Sequence, residues 1–409
     1  MHEHSLPHFV GLDIGTSTVR TIIGTPNPHE PTKPSIIGYG SAPNLGMRKG
    51  VVVHADDVAE AIVQSITEAE RLSGVRVQAA TVNVNGAHVS GMNSKGVIAI
   101  SAANRLITDD DRLRVEEAAT IVQLPPNREI IQVFATNYRL DGQENIKDPV
   151  GMHGVRLEVD THIVSASTPN VRLLDTALEK AQVIASNHTV SALAAAEAVL
   201  TRQQKEAGTL LADIGAGTTN LVVIEDGEIQ HVAVLPVGGM HITNDLAIGL
   251  KTDLDVAEQV KLKLVHLRDT DKKKSSSIKI NGVEFTFDNA EINMIAEARA
   301  EELFEYIDKE LKKIQRSRKL PGGVMLVGGT AKLPGIVDVA RDKLQLAARI
   351  GAPHAISGLA EKVHDPAAAT AVGLMLLDML MPQMTQDTAR PMNTKMLDSL
   401  STVWQRLKH

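Results

Sequence analysis

Two short segments of this chain, 200 residues apart, carry nearly the same order of residue types. The first is Gly-Leu-Asp-Ile-Gly-Thr-Ser-Thr, which contains Asp13, and the second is Leu-Ala-Asp-Ile-Gly-Ala-Gly-Thr-Thr, which contains Asp213. An apolar run follows each of them, so each segment predicts a strand, a tight turn and a return strand. Two such hairpins that face each other would hold a phosphate chain from both sides.

The residue types in the two turns suit phosphate binding. Backbone N–H groups must approach a phosphate closely, and glycine has no Cβ to block that approach. Serine and threonine add hydroxyl donors, whereas two carboxylates would repel phosphate unless Mg²⁺ lies between, held mainly through its waters. The predicted phosphate contacts are Gly15, Thr16, Ser17, Gly215, Gly217, Thr218 and Thr219, and the predicted Mg²⁺ residues are Asp13 and Asp213.

Two other phosphate-binding patterns do not occur in the sequence. There is no Gly-x-x-x-x-Gly-Lys-Ser/Thr, and no Gly-x-Gly-x-x-Gly follows a predicted strand. Each segment alone could equally be an ordinary hairpin with a glycine turn. The repetition with matched Asp, Gly and Thr favours the nucleotide interpretation over that alternative.

The composition excludes several classes of protein. A chain of 409 residues with 43% hydrophobic and 22% charged residues is long enough for two globular lobes. The absence of cysteine excludes disulfides and thiolate chemistry, and fits a reducing cytoplasm. A net charge of −7 argues against nucleic acid as a ligand. We expect neither a signal peptide nor a transmembrane helix, because no apolar stretch has the required length.

Hydrophobic periodicity predicts strands and helices in alternation along most of the chain. An Asn-Gly turn predicts a further hairpin over 278–285. The predicted helices cover about 56–73, 108–124, 170–182, 190–206, 243–250, 253–267, 289–316 and 366–381.

A pair of glycines ends an apolar strand late in the chain. Gly328 and Gly329 follow Val-Met-Leu-Val and precede a predicted helix. Such a pair is either a simple strand–helix junction or a flat surface for a ligand at the carboxyl end of a strand. We favour contact with an adenine ring, provided that the two hairpins bind a nucleotide.

The last fifteen or so residues predict an amphipathic helix after a polar linker. One explanation is an end helix that docks on the body of the protein. The linker and the flanking cations Lys395, Arg406 and Lys408 favour a helix that lies in a membrane interface. One such tail binds weakly, and many tails on a polymer bind strongly. The apolar stripe consists of Met396, Leu397, Leu400, Val403, Trp404 and Leu407.

The two hairpins and the Gly-Gly junction resemble those of the actin, heat-shock chaperone and hexokinase superfamily. Within it, residues 141–157 and 237–250 are similar to the FtsA family of bacterial cell-division proteins. The resemblance covers residues 9 to about 381 and the tail, and implies an α/β, actin-like two-lobe fold of duplicated ribonuclease H-like sheets. A subdomain called 1C should replace subdomain 1B of actin. The implied parts are 9–81 with 164–206 (1A), 82–163 (1C), 207–242 with 317–381 (2A), 243–316 (2B), the linker 382–394 and the membrane-targeting helix 395–409.

The resemblance also implies ligands and partners. ATP with Mg²⁺ should lie between the lobes, and the C-terminal peptide of FtsZ, a tubulin-like division protein, should bind at 243–316, with Arg299 as a contact. The protein should polymerise and anchor the FtsZ ring to the inner face of the cytoplasmic membrane at the division site, with other division proteins as further partners. The implied nucleoside contacts are Gly239, Glu258, Lys261, Gly328, Gly329 and Thr330.

One position departs from the resemblance. Many relatives have an acidic or amide residue where this chain has Ser191, and a hydroxyl is a poor general base. We therefore expect slow ATP hydrolysis at most, with the nucleotide as a conformational switch. The alternative is a sugar or acetate kinase of the same superfamily, which would need a carboxylate base aimed at a substrate hydroxyl. A pilus-assembly or shape-determining actin relative is a further alternative, which residues 143–157 argue against.

Overall fold

The computed structural model describes residues 7–28, 30, 33–268, 275–280 and 282–380. The predicted linker and membrane-targeting helix lie outside these described residues. The strands are β1 Phe9–Ile14, β2 Thr18–Thr25, β3 Ser35–Pro43, β4 Met47–Arg48, β5 Val51–Val52, β6 Ala79–Val84, β7 Ser90–Ala99, β8 Arg128–Leu140, β9 Gln143–Ile146, β10 Arg156–Ser167, β11 Ile184–Val190, β12 Thr209–Ile214, β13 Thr219–Glu225, β14 Glu228–Leu235, β15 Ser275–Ile280, β16 Val283–Asp288, β17 Gly323–Val327, β18 Ala348–Ile350 and β19 Ser357–Gly358.

The helices alternate with these strands. Short 3₁₀ turns cover Gly329–Lys332 and Pro366–Ala368. No helix among the described residues is both long enough and apolar enough to span a bilayer. The helices are α1 Ala55–Ser73, α2 Asp109–Thr120, α3 Thr168–Lys180, α4 Ser191–Val199, α5 Arg202–Ala207, α6 Gly239–Gly249, α7 Leu254–Leu264, α8 Asn289–Lys313, α9 Ile336–Leu344, α10 Ala360–Val363 and α11 Ala369–Leu380.

Two sheets repeat one arrangement, which confirms the predicted duplication. In the first sheet, β3, β2 and β1 form an antiparallel meander, and β6 and β11 follow in parallel. In the second sheet, β14, β13 and β12 form the meander, and β17 and β18 follow in parallel. Asp13 pairs with Arg20 in the first hairpin, and Asp213 pairs with Asn220 in the second. The two aspartates therefore occupy the same position in the two repeats.

An inserted segment extends the second sheet. Strands β7, β10, β8 and β9 form a small antiparallel sheet, which joins β14 through the single pair Ala233 and Ser90. Helix α2 covers one face of it and begins at Thr108, which forms a capping box with Asp111. A Cβ at Gly96 would lie 2.1 Å from a backbone oxygen of α2, so the helix packs directly on the strand.

Helices α4 and α11 lie between the two sheets and cross each other. A Cβ at Gly11 would lie 2.2 Å from the carbonyl oxygen of Ala371, so α11 packs on β1 of the first sheet. Successive side chains of β12 point to opposite faces of the second sheet, and both faces are buried. Leu211 contributes to the core around the central helices, and Leu210 contributes to the core under α6, α8 and α9.

Some elements differ from the sequence-based expectations. The predicted helix over 190–206 is two helices, because Leu200 is extended and Thr201 caps α5 with Gln204. Strand β11 was not predicted. The chain over 357–380 joins the first sheet, because β19 pairs with β3 and α11 packs on β1. That corrects the assignment of all of 317–381 to the second lobe.

The crossing of the central helices gives a first prediction. A Cβ at Gly373 of α11 would lie 1.7 Å from the carbonyl oxygen of Ala194 in α4. Gly373→Ala should therefore lower the free energy of unfolding by at least about 1–3 kcal/mol, measured by urea denaturation.

The matched control is Gly249→Ala, at the end of α6. Its Cβ would meet only the tip of the Ile295 side chain, at 2.4 Å, and that tip can move. We expect a change near zero there, because alanine also favours the helix. Equal stability of the two variants would contradict a close helix crossing.

Candidate functional site

The turns of the two repeated hairpins face each other in the structure. Each turn closes in the same way, because the N–H of Gly15 donates to the carbonyl of Thr18 at 3.1 Å and that of Gly215 to Thr218 at 2.9 Å. A Cβ at Gly217 would lie 2.9 Å from the Thr16 side chain, so the second turn lies against the first. Only glycine permits this approach of one hairpin to the other.

A cleft of about 490 Å³ opens beside the two turns. This volume is within the range of small-molecule and cofactor sites. Of the predicted contacts, Gly217, Thr219 and Gly239 do not line the cleft. Those that do are Asp13, Gly15, Thr16, Ser17, Asp213, Gly215, Thr218, Glu258, Lys261, Gly328, Gly329 and Thr330.

Two of the predicted residues outside the lining, Thr219 and Gly239, support the second turn from behind, whereas Gly217 is part of the turn itself. Thr219 is buried and its hydroxyl donates to the carbonyl of Val237 at 2.8 Å. The N–H of Gly239 donates to the carbonyl of Gly215 at 3.0 Å. These contacts join the hairpin to the start of α6, so the residues shape the cleft from behind.

Asp13 is buried and Asp213 is half-buried at the base of the cleft. The pKa of Asp13 is raised to about 7, mainly because the carboxyl is buried; the charge of Arg20 opposes this rise, and the nearby carboxylate of Asp213 contributes to it. Burial also raises the pKa of Asp213, whereas a hydrogen bond from Thr370, at 3.1 Å, favours its ionised form. Two neighbouring carboxylates that are withdrawn from water and repel each other are poised to accept a cation.

The surroundings of the carboxylates fit Mg²⁺. Among the described residues, no group of three or more His, Cys, Asp or Glu side chains could hold a metal ion, so they offer no all-protein cage. Mg²⁺ usually keeps several waters and takes one or two carboxylates. Asn220 Oδ1 also lies at the cleft, is buried, and has no hydrogen-bond partner among the described residues. An orphaned acceptor of this kind suits a metal-bound water.

One cation in the cleft was not predicted from the sequence. Arg20 lines it, and its guanidinium forms no hydrogen bond or ion pair with any described residue, although its charge lowers the pKa of Asp13 and of Asp213. It lies on the return strand opposite Asp13, seven positions after it, and Asn220 has the same place after Asp213. Comparison of the two hairpins beyond their turns would have revealed both residues. A free guanidinium beside two carboxylates is suited to an anionic ligand such as phosphate.

The other side of the cleft contains the predicted nucleoside contacts. Lys261 Nζ donates to Glu258 Oε2 at 2.7 Å and to the hydroxyl of Thr243 at 2.9 Å, so the side chains hold each other in place. Gly328 has φ +88°, and a Cβ there would lie 2.5 Å from Asp213 Oδ1. Nothing lies within 4 Å of a Cβ at Gly329, so this residue leaves room for a flat group.

Ser191 and Thr330 are fixed by hydrogen bonds. The side-chain amide of Asn83 donates to Ser191 Oγ at 3.1 Å, at the start of α4. Thr330 Oγ1 donates to the carbonyl of Gly215 at 2.9 Å, so the hydroxyl holds the second turn.

Arg299, the predicted partner contact, lies on α8 and does not line the cleft. Its guanidinium donates to Asp245 and Glu302, including a 3.1 Å bond from Nη2 to Asp245 Oδ1. The hydrogen bond with Asp245 raises the pKa of Arg299. The residue therefore belongs to a partly exposed ion-pair cluster.

A larger cavity of about 680 Å³ lies between the inserted sheet and the turn that joins β13 to β14. Several of the charged groups that line it are paired, Lys95 with Asp160 and Arg316 with Glu225. Neither repeated turn reaches it. The cleft at the two hairpins is therefore the better candidate for chemistry.

Comparisons with known proteins agree with this geometry. The family model for cell division protein FtsA matches residues 210–373, and the model for the SHS2 domain inserted in FtsA matches residues 86–165. Cell division protein FtsA of Bacillus subtilis is 35% identical over 373 residues, which cover 90% of this chain and 82% of that protein.

Solved structures show the fold class. The PilM-PilN type IV pilus biogenesis complex matches with a TM-score of 0.65 and 19% identity, over 90% of this chain and 98% of that one. MreB5 of Spiroplasma citri bound to ADP matches with a TM-score of 0.52 and 15% identity, over 91% of this chain and 96% of that one. Together with the duplicated sheets, these likenesses define an actin-like protein. The chain belongs to the FtsA family of cell division proteins, which confirms the resemblance.

The raised pKa of Asp13 gives a second prediction. Asp13→Asn should stabilise the ligand-free protein, because the amide oxygen still accepts from Asn83 and the buried charge is gone. The Asp13 carboxyl of the wild type has a pKa of about 7 in the folded protein, compared with an ordinary value of 3.8. Between these two pH values, the folded state therefore binds a proton at Asp13 that the unfolded state has lost. Wild-type stability therefore falls as pH rises through this window.

The measurement is urea denaturation without divalent cations at about pH 5 and pH 8. The free energy of unfolding of Asp13→Asn should exceed that of the wild type by more at pH 8 than at pH 5, and by at most about 4 kcal/mol. An exposed control, Glu144→Gln on β9, should show no such growth. If Asp13→Asn were no more stable than the wild type, or more stable by the same amount at both pH values, the raised pKa of Asp13 would be contradicted.

Proposed function

We propose that this protein binds ATP with Mg²⁺ between its lobes, polymerises, and anchors the FtsZ ring to the inner face of the cytoplasmic membrane. The observation that carries the nucleotide part is the meeting of two like turns over the carboxylates of Asp13 and Asp213. The free guanidinium of Arg20 and the fold shared with an ADP-bound MreB5 support it. Membership of the FtsA family supports the role in division.

In the proposed complex, backbone N–H groups of both turns and the hydroxyls of Ser17 and Thr218 donate to the phosphates. Arg20 adds a cation that can donate to two oxygens at once. Asp13 and Asp213 would hold Mg²⁺ through its waters. The metal supplies charge neutralisation between these carboxylates and the phosphate oxygens.

The proposed nucleotide acts as a switch between conformations. A phosphate chain held by both hairpins would fix the two sheets relative to each other, and its loss would let them move. Ser191 gives no strong base near the phosphates, so hydrolysis should be slow. The kinase alternative is not favoured by the comparisons, which match this chain to cell division proteins.

We also propose the subdomain plan of the FtsA family for this chain. The inserted unit runs from about residue 86, because β6 continues the first sheet to Val84 and the inserted-domain model begins at 86. Residues 243–316 form the unit that binds the C-terminal peptide of FtsZ, with Arg299 as a contact. The insertion contributes to contacts between copies in a filament.

The membrane-binding part of the proposal rests on residues 395–409. Their stripe of six apolar side chains would enter the lipid interface, and the flanking cations would favour anionic lipid. The protein would then lie on the cytoplasmic face of the membrane at the division site, where many tails of one filament bind together.

Arg20 gives a third prediction, on nucleotide affinity. Arg20→Ala should weaken ATP binding by on the order of 10–100-fold, because a charge-assisted pair with phosphate is lost. Isothermal titration of the purified protein with ATP and Mg²⁺ measures the change. Arg20→Lys keeps the positive charge and should lose less ATP affinity than Arg20→Ala. The control Arg71→Ala, at an exposed position on α1, should bind ATP as tightly as the wild type does. If Arg20→Ala bound ATP as tightly as the wild type does, the phosphates would not lie beside Arg20 and this part of the proposal would be wrong.

The tail gives a fourth prediction, measured by cosedimentation with phosphatidylglycerol vesicles. Deletion of 395–409 should abolish pelleting with vesicles. Leu400→Glu should weaken it strongly because it places a charge in the apolar stripe. Ser401→Glu adds the same charge beside the stripe and should weaken binding less. Equal pelleting of full-length and truncated protein would remove the tail from the proposal.

A further inference from the structure

Asn83 has a special place in the first sheet. It lies near the end of β6, directly beside β1, and only 2% of its surface is exposed. Its neighbours in space come from distant parts of the sequence, namely Ile14, Asp13 and Ser191. It does not line the cleft, but two of these neighbours do.

The hydrogen bonds of Asn83 fix the orientation of its amide. The N–H of Ile14 is a donor, so the group that faces it at 2.7 Å must be the oxygen, Oδ1. The NH₂ group then points to the other side. There it donates to Asp13 Oδ1 at 2.9 Å and to Ser191 Oγ at 3.1 Å. Every hydrogen-bonding atom of this buried side chain is therefore engaged.

This arrangement holds one oxygen of a carboxylate that faces the cleft. With Oδ1 of Asp13 bound to the amide, the carboxylate cannot rotate freely, and Oδ2 remains for another group. Ser191 starts α4, one of the helices between the sheets, so the same amide ties the carboxylate to that helix. Groups that orient metal-binding carboxylates affect metal affinity without touching the metal.

We propose that Asn83 is a positioning residue that orients Asp13 toward the magnesium of a bound nucleotide. The proposal rests on the proposed function, because it needs Mg²⁺ at this site. Asn83 does not contact the nucleotide and acts only through Asp13. Its effect should therefore appear in the part of nucleotide affinity that depends on Mg²⁺.

A merely structural role makes a different prediction. If Asn83 only stabilised the first sheet, its loss would lower the free energy of unfolding and affect nucleotide affinity equally with and without Mg²⁺. Gln132 on β8 is the matched control for this role. It is also buried, and its amide donates to Thr189 Oγ1 at 2.7 Å and accepts from the N–H of Val190 at 3.3 Å. It touches no group that lines the cleft.

The test compares ATP affinity in excess Mg²⁺ with ATP affinity in EDTA, by isothermal titration of the full-length protein. Asn83→Ala removes all three hydrogen bonds, and Asn83→Thr keeps a side chain suited to a strand in case the alanine variant folds poorly. Neither has an NH₂ group that reaches Asp13. In both variants, affinity in Mg²⁺ should fall about 10–100-fold, and affinity in EDTA should stay at the wild-type value.

Each outcome decides between the claims. Gln132→Ala should lower the melting temperature but keep the wild-type ratio of the two affinities. Asn83 variants that keep the wild-type ratio, or that lose affinity equally in both buffers, would overturn the positioning role. A wild-type protein whose ATP binding does not respond to Mg²⁺ would instead overturn the proposed function.

Discussion

The structure depends on two carboxylates, one buried and one half-buried, that lie at one point between two sheets. Asp13 and Asp213 each lie near the end of a buried strand, and burial raises the pKa of both. Such a pair is costly for the ligand-free protein, because each charge opposes the other and little water reaches them. The free Arg20 guanidinium and the orphaned Asn220 oxygen lie at the same point. The region is organised for a ligand that carries both a cation and anionic groups.

The central helices connect this point to the rest of the molecule. Helix α11 packs on β1 of the first sheet, and Thr370 near its start donates to Asp213 of the second sheet. Helix α4 begins at Ser191, which Asn83 links to Asp13. The two helices cross at Gly373, where their backbones touch. Any movement of one sheet relative to the other therefore changes the surroundings of both carboxylates, which is what a nucleotide-dependent switch requires.

Local patterns predicted the parts of the fold that depend on neighbouring residues. The Asp-Ile-Gly hairpins and the start of a helix near Thr108 are of this kind. Contacts between distant residues could not be predicted in this way. Asn83 meets Ser191 across 108 positions, and β19 pairs with β3 across more than 300. Arg20 was missed for another reason, since on a return strand it has the pattern of an ordinary half-buried residue.

The central claim is that the two hairpin turns bind one nucleotide between them. The most direct measurement is a crystal structure of the protein with Mg²⁺ and a non-hydrolysable ATP analogue. The account predicts the phosphates between the turns at Gly15 and Gly215, with Mg²⁺ linked to Asp13 and Asp213 mainly through waters. A nucleotide bound elsewhere, such as in the larger cavity beside the inserted sheet, would contradict the account.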